Sequence, residues 1–220
     1  MRVFGEIDVN ASVNYKDIDT ELLKRRTISV GDIDGEGNNI AAQIFLLDSV
    51  DHETPITLWV NSPGGDMYDL FCIYDMMQAV EAPIRTVCMG IAASSAAVLL
   101  ASGTKGHRYI TPHSYAMIHQ IQVENISGTG TELALEAKES KRMSNCMAEI
   151  LARHSGQGLA KVKRDYEHDR YLNAADAVSY GLVDYILEPR KTIPSLRRRR
   201  KPKPKEPKKE PPKAPANNST

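Results

Sequence analysis

The sequence Gly90-Ile91-Ala92-Ala93-Ser94-Ser95-Ala96 joins two apolar segments in the middle of the chain. We predict that Ile84–Met89 is a strand and that Ala96–Ala101 is a helix. The residues two before and two after Ser94 are both alanine, and small residues there let a chain turn sharply from strand to helix with the serine hydroxyl exposed. Ser94 is therefore our candidate nucleophile, although the G-x-S-x-G form is absent and small-residue turns also serve helix packing.

Strands and helices alternate on the N-terminal side of this turn. Ile56–Val60 is predicted to be a buried strand, ended by Asn61-Ser62-Pro63-Gly64-Gly65, and a helix is predicted from Asp66 to about Val80. A repeated strand, turn and helix indicates an α/β fold with a parallel sheet, in which such turns share one edge. We therefore expect the glycine turn and the Ser94 turn to face the same crevice.

The other predicted elements complete a single α/β domain over residues 21–189, preceded by an N-terminal segment of residues 1–20 without sustained periodicity. The further helices are predicted at Glu21–Arg26, Asn39–Ser49, Thr131 to about Ser155, and Ala174–Tyr180. The further strands are predicted at Thr27–Val30, Arg108–Ile110, Tyr115–Ile118 and Leu182–Leu187.

Charge is distributed unevenly along the 220 residues, although the formal net charge is zero. Residues 190–220 carry 12 Lys/Arg and 2 Asp/Glu, so this tail has a net charge of +10 and the rest of the chain one of −10. The tail is rich in lysine, arginine and proline and almost free of apolar residues, which predicts a disordered segment. We expect it to solubilise the protein, with binding to nucleic acid as the less favoured alternative.

The N-terminus and the cysteines indicate a cytoplasmic protein. Met1–Val9 contains two acidic residues and no apolar core, unlike a signal peptide, and no apolar run approaches the ~20 residues of a membrane span. The three cysteines, Cys72, Cys88 and Cys146, are scattered and suggest neither disulfides nor a C-x-x-C metal site.

A serine nucleophile needs a base, which is usually a histidine oriented by a carboxylate. Of the six histidines, only His119 directly follows an apolar strand, whereas the others lie among polar or turn residues. His107, His113 and His119 are evenly spaced, but no H-E-x-x-H pattern accompanies them, so we expect no metal. The residue pattern alone does not decide which aspartate would orient the histidine: Asp165, Asp169, Asp176 or Asp184.

Five motifs, in order, resemble those of ClpP, the proteolytic subunit of the ATP-dependent Clp protease. They are Asn61-Ser-Pro-Gly-Gly65, Cys88-Met-Gly-Ile-Ala-Ala-Ser94, Met117-Ile-His-Gln120, Asp165-Tyr-Glu-His-Asp-Arg170 and Tyr180-Gly-Leu-Val-Asp184. The resemblance covers about Leu22 to Leu187 and implies the repeated β-β-α units that ClpP shares with crotonases.

The resemblance also implies roles for single residues. Ser94 would be the nucleophile of a serine endopeptidase, His119 the general base and Asp169 the orienting carboxylate. The backbone N–H groups of Gly65 and Ser95 would form the oxyanion hole. A phosphate-cradling loop is the other use of such a glycine turn, but no G-x-x-x-x-G-K-[ST] pattern is present.

For partners, the resemblance implies a homo-oligomer of two stacked heptameric rings that degrades unfolded proteins delivered by a Clp ATPase of the AAA+ unfoldase class. The chain itself would need no cofactor. Four apolar residues fall where ClpP docks its unfoldase, although an ordinary core role is the alternative for each: Trp59, Met89, Tyr109 and Leu187.

Several positions depart from the family pattern. Ala96 replaces the usual glycine, Ile91 a common glutamine and Ile121 a frequent proline, and the basic tail is foreign to it. These departures support an alternative, a stand-alone phage-type ClpP-like protease that processes capsid or scaffold proteins. A catalytically inactive ring subunit is a further alternative, and the retained serine, histidine and aspartate argue against it. Acyl-CoA chemistry on the crotonase fold is another, although crotonases have no need of a serine–histidine pair.

Overall fold

The computed structural model describes residues 18–123 and 127–188. The predictions for most of the N-terminal segment and for the basic tail lie outside these residues. The helices are α1 (Ile18–Lys24), α2 (Gly37–Val50), α3 (Met67–Ala79), α4 (Ser95–Ala101), α5 (Gly130–Ser155), α6 (Leu159–Asp165) and α7 (Ala174–Tyr180). The strands are β1 (Thr27–Val30), β2 (Ile56–Ser62), β3 (Ile84–Ala93), β4 (Arg108–Ile110), β5 (Tyr115–Ile118), β6 (Arg170–Asn173) and β7 (Tyr185–Ile186).

A parallel sheet forms the centre of the domain, as the sequence predicts. Its strand order is β1-β2-β3-β4-β7, and every neighbouring pair in this series is parallel. The last residues of β3 leave β4 and pair in parallel with β5, which in turn pairs antiparallel with β6. The β3 strand therefore links the main sheet to the short strands that carry two of the predicted site residues at their ends.

Helix α4 lies at the centre of the hydrophobic core. All seven of its residues are buried, and its side chains pack with buried residues of the sheet and of α3 and α5. The small residues Ala96, Ala97 and Ala101 allow this close approach because they add little volume between the packed elements. Core packing thus fixes the helix that begins directly after Ser94.

Helix termini near the predicted site have well-defined caps. The Asp66 carboxylate accepts hydrogen bonds from the backbone N–H groups of Tyr68 and Asp69 at 2.7 and 3.1 Å, which caps α3 directly after the glycine turn. Thr129 and Glu132 form a reciprocal capping box at the start of α5. These caps satisfy backbone donors that the first turn of a helix leaves unpaired.

Three predicted features differ from the structure. Strand β3 continues four residues past Met89, to Ala93, because Ile91, Ala92 and Ala93 pair with β5. The final strand is shorter than predicted, covering only Tyr185–Ile186. The sequence also predicts neither α6 nor β6, which carry little apolar periodicity.

Helix α5 is buried only in its second half. Met143, Met147 and Leu151 pack into the core, whereas Leu133 and Leu135 are exposed to solvent at 39% and 62%. In the described residues, no helix has the length and apolar character needed to cross a membrane.

Candidate active site

Ser94 lies at a sharp turn between β3 and α4. Its backbone has φ 56° and ψ −125°, a conformation that non-glycine residues rarely adopt and that costs about 1–3 kcal/mol. The backbone N–H of Ser94 donates to the Met117 carbonyl at 2.9 Å, which continues the β3–β5 pairing past Ala93. Ser94 thus lies at a strained strand-to-helix turn, as the small-residue pattern predicts.

Strand register brings His119 and Asp169 together. Ile118, at the end of β5, pairs with Arg170, at the start of the antiparallel β6, so the next residue on one strand faces the preceding residue on the other. These two residues are His119 and Asp169, and His119 Nδ1 lies 3.6 Å from Asp169 Oδ1. The His119 side chain is 12% exposed and that of Asp169 is 50% exposed.

The segment before Asp169 is held against β5 by two further hydrogen bonds. The Gln120 backbone N–H donates to the Tyr166 carbonyl at 2.7 Å, and Gln120 Nε2 donates to the Glu167 carbonyl at 3.0 Å. Both bonds restrict the loop that presents Asp169 to the imidazole.

Two of the other candidate aspartates are engaged elsewhere. Asp165 forms ion pairs with Lys161 and with Arg170, whose Nη1 lies 2.6 Å from Asp165 Oδ1. Burial alone raises the pKa of Asp165, but the hydrogen bond from Lys161 and the charges of both partners bring it below its ordinary value.

Asp184 is paired with Arg108 on the far side of the core. The guanidinium contacts both carboxylate oxygens, at 3.0 Å from Nε and 2.7 Å from Nη2. Burial opposes ionisation, yet the Arg108 hydrogen bonds and charge outweigh it and lower the pKa of Asp184 to about 2. Asp176 lies in the first turn of α7. Asp169 is therefore the candidate that the structure brings to His119.

The glycine turn lies directly against Ser94. A Cβ atom on Gly64 would meet the Ser94 Cβ at 2.8 Å, and Gly64 has φ +116°, so only glycine fits there without strain. Ser95 Oγ donates to the Gly65 carbonyl at 3.2 Å and ties the first residue of α4 to this turn. Within the described residues, the backbone N–H groups of Gly65 and Ser95 donate no hydrogen bond.

A cavity of about 560 Å³ brings these groups together. Its polar lining includes Ser94, His119, Asp169 and Gly65, and its apolar lining includes Met67, Met117, Ile121 and Met143. A larger cavity of about 690 Å³ lies beside α1 and β1, but neither histidine nor cysteine lines it. The smaller cavity is therefore the candidate active site because of the residues that line it and not because of its volume.

Neither Cys88 nor a metal cluster offers a competing site among the described residues. Burial raises the pKa of the Cys88 thiol to about 12, which disfavours its nucleophilic thiolate at neutral pH. No group of three or more His, Cys, Asp or Glu side chains in residues 18–123 and 127–188 is arranged to hold a metal ion.

The Clp protease family profile matches residues 10–190 of this sequence. The chain belongs to the Clp protease family. Its match to the family profile spans every element of the described domain, and the strained serine turn, histidine and glycine turn all lie within it.

Individual Clp protease subunits are similar to this chain over most of their length. The ATP-dependent Clp protease proteolytic subunit 1 of Bifidobacterium longum is 43% identical over 157 residues, which are 71% of this chain and 67% of that protein. Subunit 1 of Mycolicibacterium paratuberculosis is 45% identical over 174 residues, covering 78% and 82% respectively. Subunit 2 of Corynebacterium jeikeium is 42% identical over 173 residues, covering 78% and 83%.

The protein is therefore a ClpP-type serine protease, as the motifs predict, and its fold is that of the Clp protease family. The relatives do not favour the stand-alone, phage-type alternative, since each is named as a proteolytic subunit of an ATP-dependent protease.

The four predicted docking residues lie near one another on the sheet. Trp59 pairs in register with Val87 and Val87 with Tyr109, while the Leu187 backbone N–H donates to the Ile110 carbonyl at 2.8 Å. Trp59, Met89 and Leu187 are partly exposed, whereas Tyr109 is buried and its ring lies 5.6 Å from that of Tyr185. Their neighbours Leu58 and Ile110 belong to the hydrophobic core on the opposite face.

One part of the site has no counterpart in the sequence-based predictions. The loop between β1 and α2 packs against the glycine turn, and its Asp34 carboxylate accepts a hydrogen bond from the Asp66 backbone N–H at 2.5 Å. Asp34 carries no local sequence signal for this contact, because its partner lies 32 residues away and is a backbone group.

Proposed function

We propose that Ser94, His119 and Asp169 form the catalytic triad of this protease. The observation that carries the proposal is the position of His119, 3.6 Å from Asp169 and directly beyond the strand that hydrogen-bonds to Ser94. His119 would take the Ser94 proton as the hydroxyl attacks the peptide carbonyl and return it to the leaving amine. Asp169 would orient the imidazole and stabilise the imidazolium. The hydrogen bonds of such a triad often tighten only when substrate binds.

The backbone N–H groups of Gly65 and Ser95 would stabilise the tetrahedral oxyanion. Neither amide is committed to another group within the described residues, and the Ser95 hydroxyl holds the Gly65 carbonyl in place. Donors that are already positioned before the reaction avoid the cost of reorganisation during it. The water that completes hydrolysis would be activated by the same histidine, so no cofactor is needed on this chain.

For the assembly, we propose a cytoplasmic homo-oligomer of two stacked heptameric rings whose active sites face an internal chamber. A Clp ATPase of the AAA+ unfoldase class would deliver unfolded proteins to it. The similarity to proteolytic subunits of ATP-dependent proteases supports this arrangement. The partly exposed side chains of Trp59, Met89 and Leu187, next to Tyr109, are the proposed docking surface for the ATPase.

The experiment compares hydrolysis of a short fluorogenic peptide and of casein, each with and without a Clp ATPase and ATP. Wild-type protein should cleave the peptide alone and should cleave casein faster when the ATPase is present. Ser94→Ala should lower both activities to background, and the exposed helix residue Ser179 provides the matched control Ser179→Ala. Equal activity of Ser94→Ala and wild type would overturn the triad.

The assembly is tested separately by native mass spectrometry, in which fourteen subunits are expected. Trp59→Ala should reduce ATPase-stimulated casein cleavage and leave peptide cleavage near wild type, because the docking surface does not line the active-site cavity. Loss of both activities together would point to a role of Trp59 in folding instead.

A further inference from the structure

The glycine turn is supported from one side by a loop that no motif of the family resemblance includes. We call residues 31–36, between β1 and α2, the support loop. The Ile33 backbone N–H donates to the Gly64 carbonyl at 3.0 Å, and Asp34 Oδ1 accepts from the Asp66 backbone N–H at 2.5 Å. The support loop therefore holds the peptide groups on both sides of Gly65.

The Ile33 contact orients the peptide that contains the Gly65 N–H, and the Asp34 contact fixes the peptide that follows it. The described residues contain no cis peptide, and in a trans peptide the carbonyl and the following N–H point in opposite directions. Because the Gly64 carbonyl is bound to Ile33, the Gly65 N–H points away from the support loop. The next peptide is fixed at both ends, since the Gly65 carbonyl accepts from Ser95 Oγ while the Asp66 N–H donates to Asp34.

Packing around Gly65 is also tight on the support-loop side. A Cβ atom added to Gly65 would meet Asp34 Oδ1 at 2.6 Å and the Asp34 backbone nitrogen at 2.8 Å. The support loop is in turn fixed to α3, because the Gly35 backbone N–H donates to Asp69 Oδ2 at 2.6 Å. Asp34 and Asp69 thus form reciprocal bonds between the support loop and the start of α3.

We propose that Asp34 is a positioning residue for peptide-bond hydrolysis: its carboxylate fixes the Gly65–Asp66 peptide and so holds the Gly65 N–H where the oxyanion forms. This inference rests on the proposed role of Gly65 in the oxyanion hole. The glycine turn has positive φ at both Gly64 and Gly65. Its first half is also held from within, because Ser62 Oγ contacts the Gly64 N–H at 3.0 Å and the Gly64 carbonyl at 3.3 Å. Asp34 supplies the acceptor for the N–H of the peptide that follows Gly65.

The expected effect follows from the chemistry of the oxyanion. Losing one oxyanion donor typically lowers kcat by about 10²–10³-fold, and misplacing it without removing it costs less. We expect Asp34→Ala to lower kcat by about 10- to 100-fold with KM within about twofold of wild type, because the amide acts mainly on the transition state. Asp34 also lines the active-site cavity, so a direct contact with substrate would instead raise KM.

The test uses the full chain and four variants in steady-state peptide hydrolysis. Asp34→Ala and Asp34→Leu remove the acceptor, whereas Asp34→Asn keeps an acceptor oxygen and removes only the charge. Glu36→Ala is the matched control, since Glu36 is an exposed carboxylate of the same loop whose Oε2 contacts Asn39. Asp34→Asn should retain kcat within about threefold of wild type, and Glu36→Ala should match wild type.

A second readout reports on the oxyanion position itself. A peptide boronic acid forms a tetrahedral adduct with the serine and places an oxygen in the oxyanion hole. Its inhibition constant should rise in Asp34→Ala and Asp34→Leu by about the same factor as kcat/KM falls. Thermal unfolding and native mass spectrometry establish which variants are folded and assembled. If Asp34→Ala is not folded and assembled, Asp34→Leu is used in its place.

The outcomes separate this inference from the proposed triad. If Ser94→Ala hydrolyses the peptide as fast as wild type, the proposed function fails whatever Asp34 does. If Ser94→Ala is inactive while the acceptor-free variants match Glu36→Ala, or change KM alone, the positioning role is overturned and the triad stands. Equal loss in Asp34→Asn and Asp34→Ala also overturns it, because charge and not hydrogen bonding would then matter.

Discussion

His119 and Asp169 occupy facing positions just beyond the paired residues Ile118 and Arg170 of two antiparallel strands, with Nδ1 and Oδ1 3.6 Å apart. Their proximity is thus a property of the strand register, since a shift of one residue would move either side chain to the other face of the sheet. Arg170, next to Asp169, is itself held by Asp165 at 2.6 Å, which stabilises the start of β6.

The Asp169–His119 pair predicts the effect of Asp169→Asn. The amide no longer stabilises the imidazolium and favours the wrong imidazole tautomer, so kcat for peptide hydrolysis should fall by about 10²–10⁴-fold with little change in thermal stability. The matched control is Asp176→Asn, an aspartate in the first turn of α7 away from the cavity. A loss of activity in Asp176→Asn as large as in Asp169→Asn would contradict the assignment.

Close packing of the glycine turn on Ser94 predicts that Gly64→Ala inactivates the enzyme. The added methyl group would lie 2.8 Å from Ser94 Cβ and 3.0 Å from the Ala93 carbonyl oxygen, and the residue would have to keep φ +116°. Because both groups belong to the strained serine turn, we expect peptide hydrolysis to fall at least about 100-fold. Gly158→Ala is the control, since its Cβ meets no atom within 4 Å. Wild-type hydrolysis by Gly64→Ala would show that the turn can shift freely.

Local sequence patterns suffice for the strands and helices around Ser94, whereas the carboxylate requires long-range information. His119 directly follows an apolar strand, and Ser94 lies in the small-residue turn between an apolar strand and an apolar helix, so the neighbours alone place both residues near strand ends. The last four residues of β3 are not predicted, because their pairing with β5 is a long-range contact. Asp165, Asp169 and Asp184 look alike in the sequence, and the register of β5 with β6 distinguishes them. Only the resemblance to ClpP selects Asp169 at the level of sequence.

The unpredicted elements share a weak apolar signal. Helix α6 buries only Val162, and strand β6 buries only Leu172, so neither shows the periodicity by which helices and strands are predicted. Tertiary contacts stabilise both: the Asp165 side chain at the end of α6 pairs with Arg170 at the start of β6. The contacts of the support loop are equally invisible in the sequence, because they are made with backbone groups of a turn about 30 residues away.

The buried Arg108–Asp184 pair predicts a large stability effect that is separate from catalysis. Arg108 is 1% exposed, and its Nη1 also donates to the carbonyls of Ala101 and His154 at 2.9 and 2.8 Å. Asp184→Asn leaves this buried cation without its charged partner, so the free energy of unfolding should fall by about 3–5 kcal/mol. Chemical denaturation measures the change.

The exposed pair of Arg142 and Glu139 provides the control for that experiment. Glu139→Gln should leave the unfolding midpoint near wild type, since exposed ion pairs contribute little. An equal loss of stability in both variants would mean that burial does not determine the strength of the Asp184 pair.

His154 predicts how stability depends on pH. Burial and the neighbouring charge of Arg108 lower its pKa from 6.5 to about 4, and its ring contacts the Tyr74 hydroxyl at 3.2 Å. Between pH 6.5 and about 4 the unfolded chain binds a proton at this site that the folded protein excludes, so stability falls as the pH falls through this window and this contribution levels off below it.

The measurement is the slope of unfolding free energy against pH in wild type and His154→Gln, with exposed His52→Gln as control. We expect the slope between pH 6.5 and 4.5 to be smaller in His154→Gln and unchanged in His52→Gln. Equal slopes in all three proteins would mean that another group carries the acid sensitivity. Asp184 has a pKa lowered from 3.8 to about 2 in the folded state, so its contribution to stability is lost progressively from roughly pH 5 to pH 2 and overlaps only the acid end of this window.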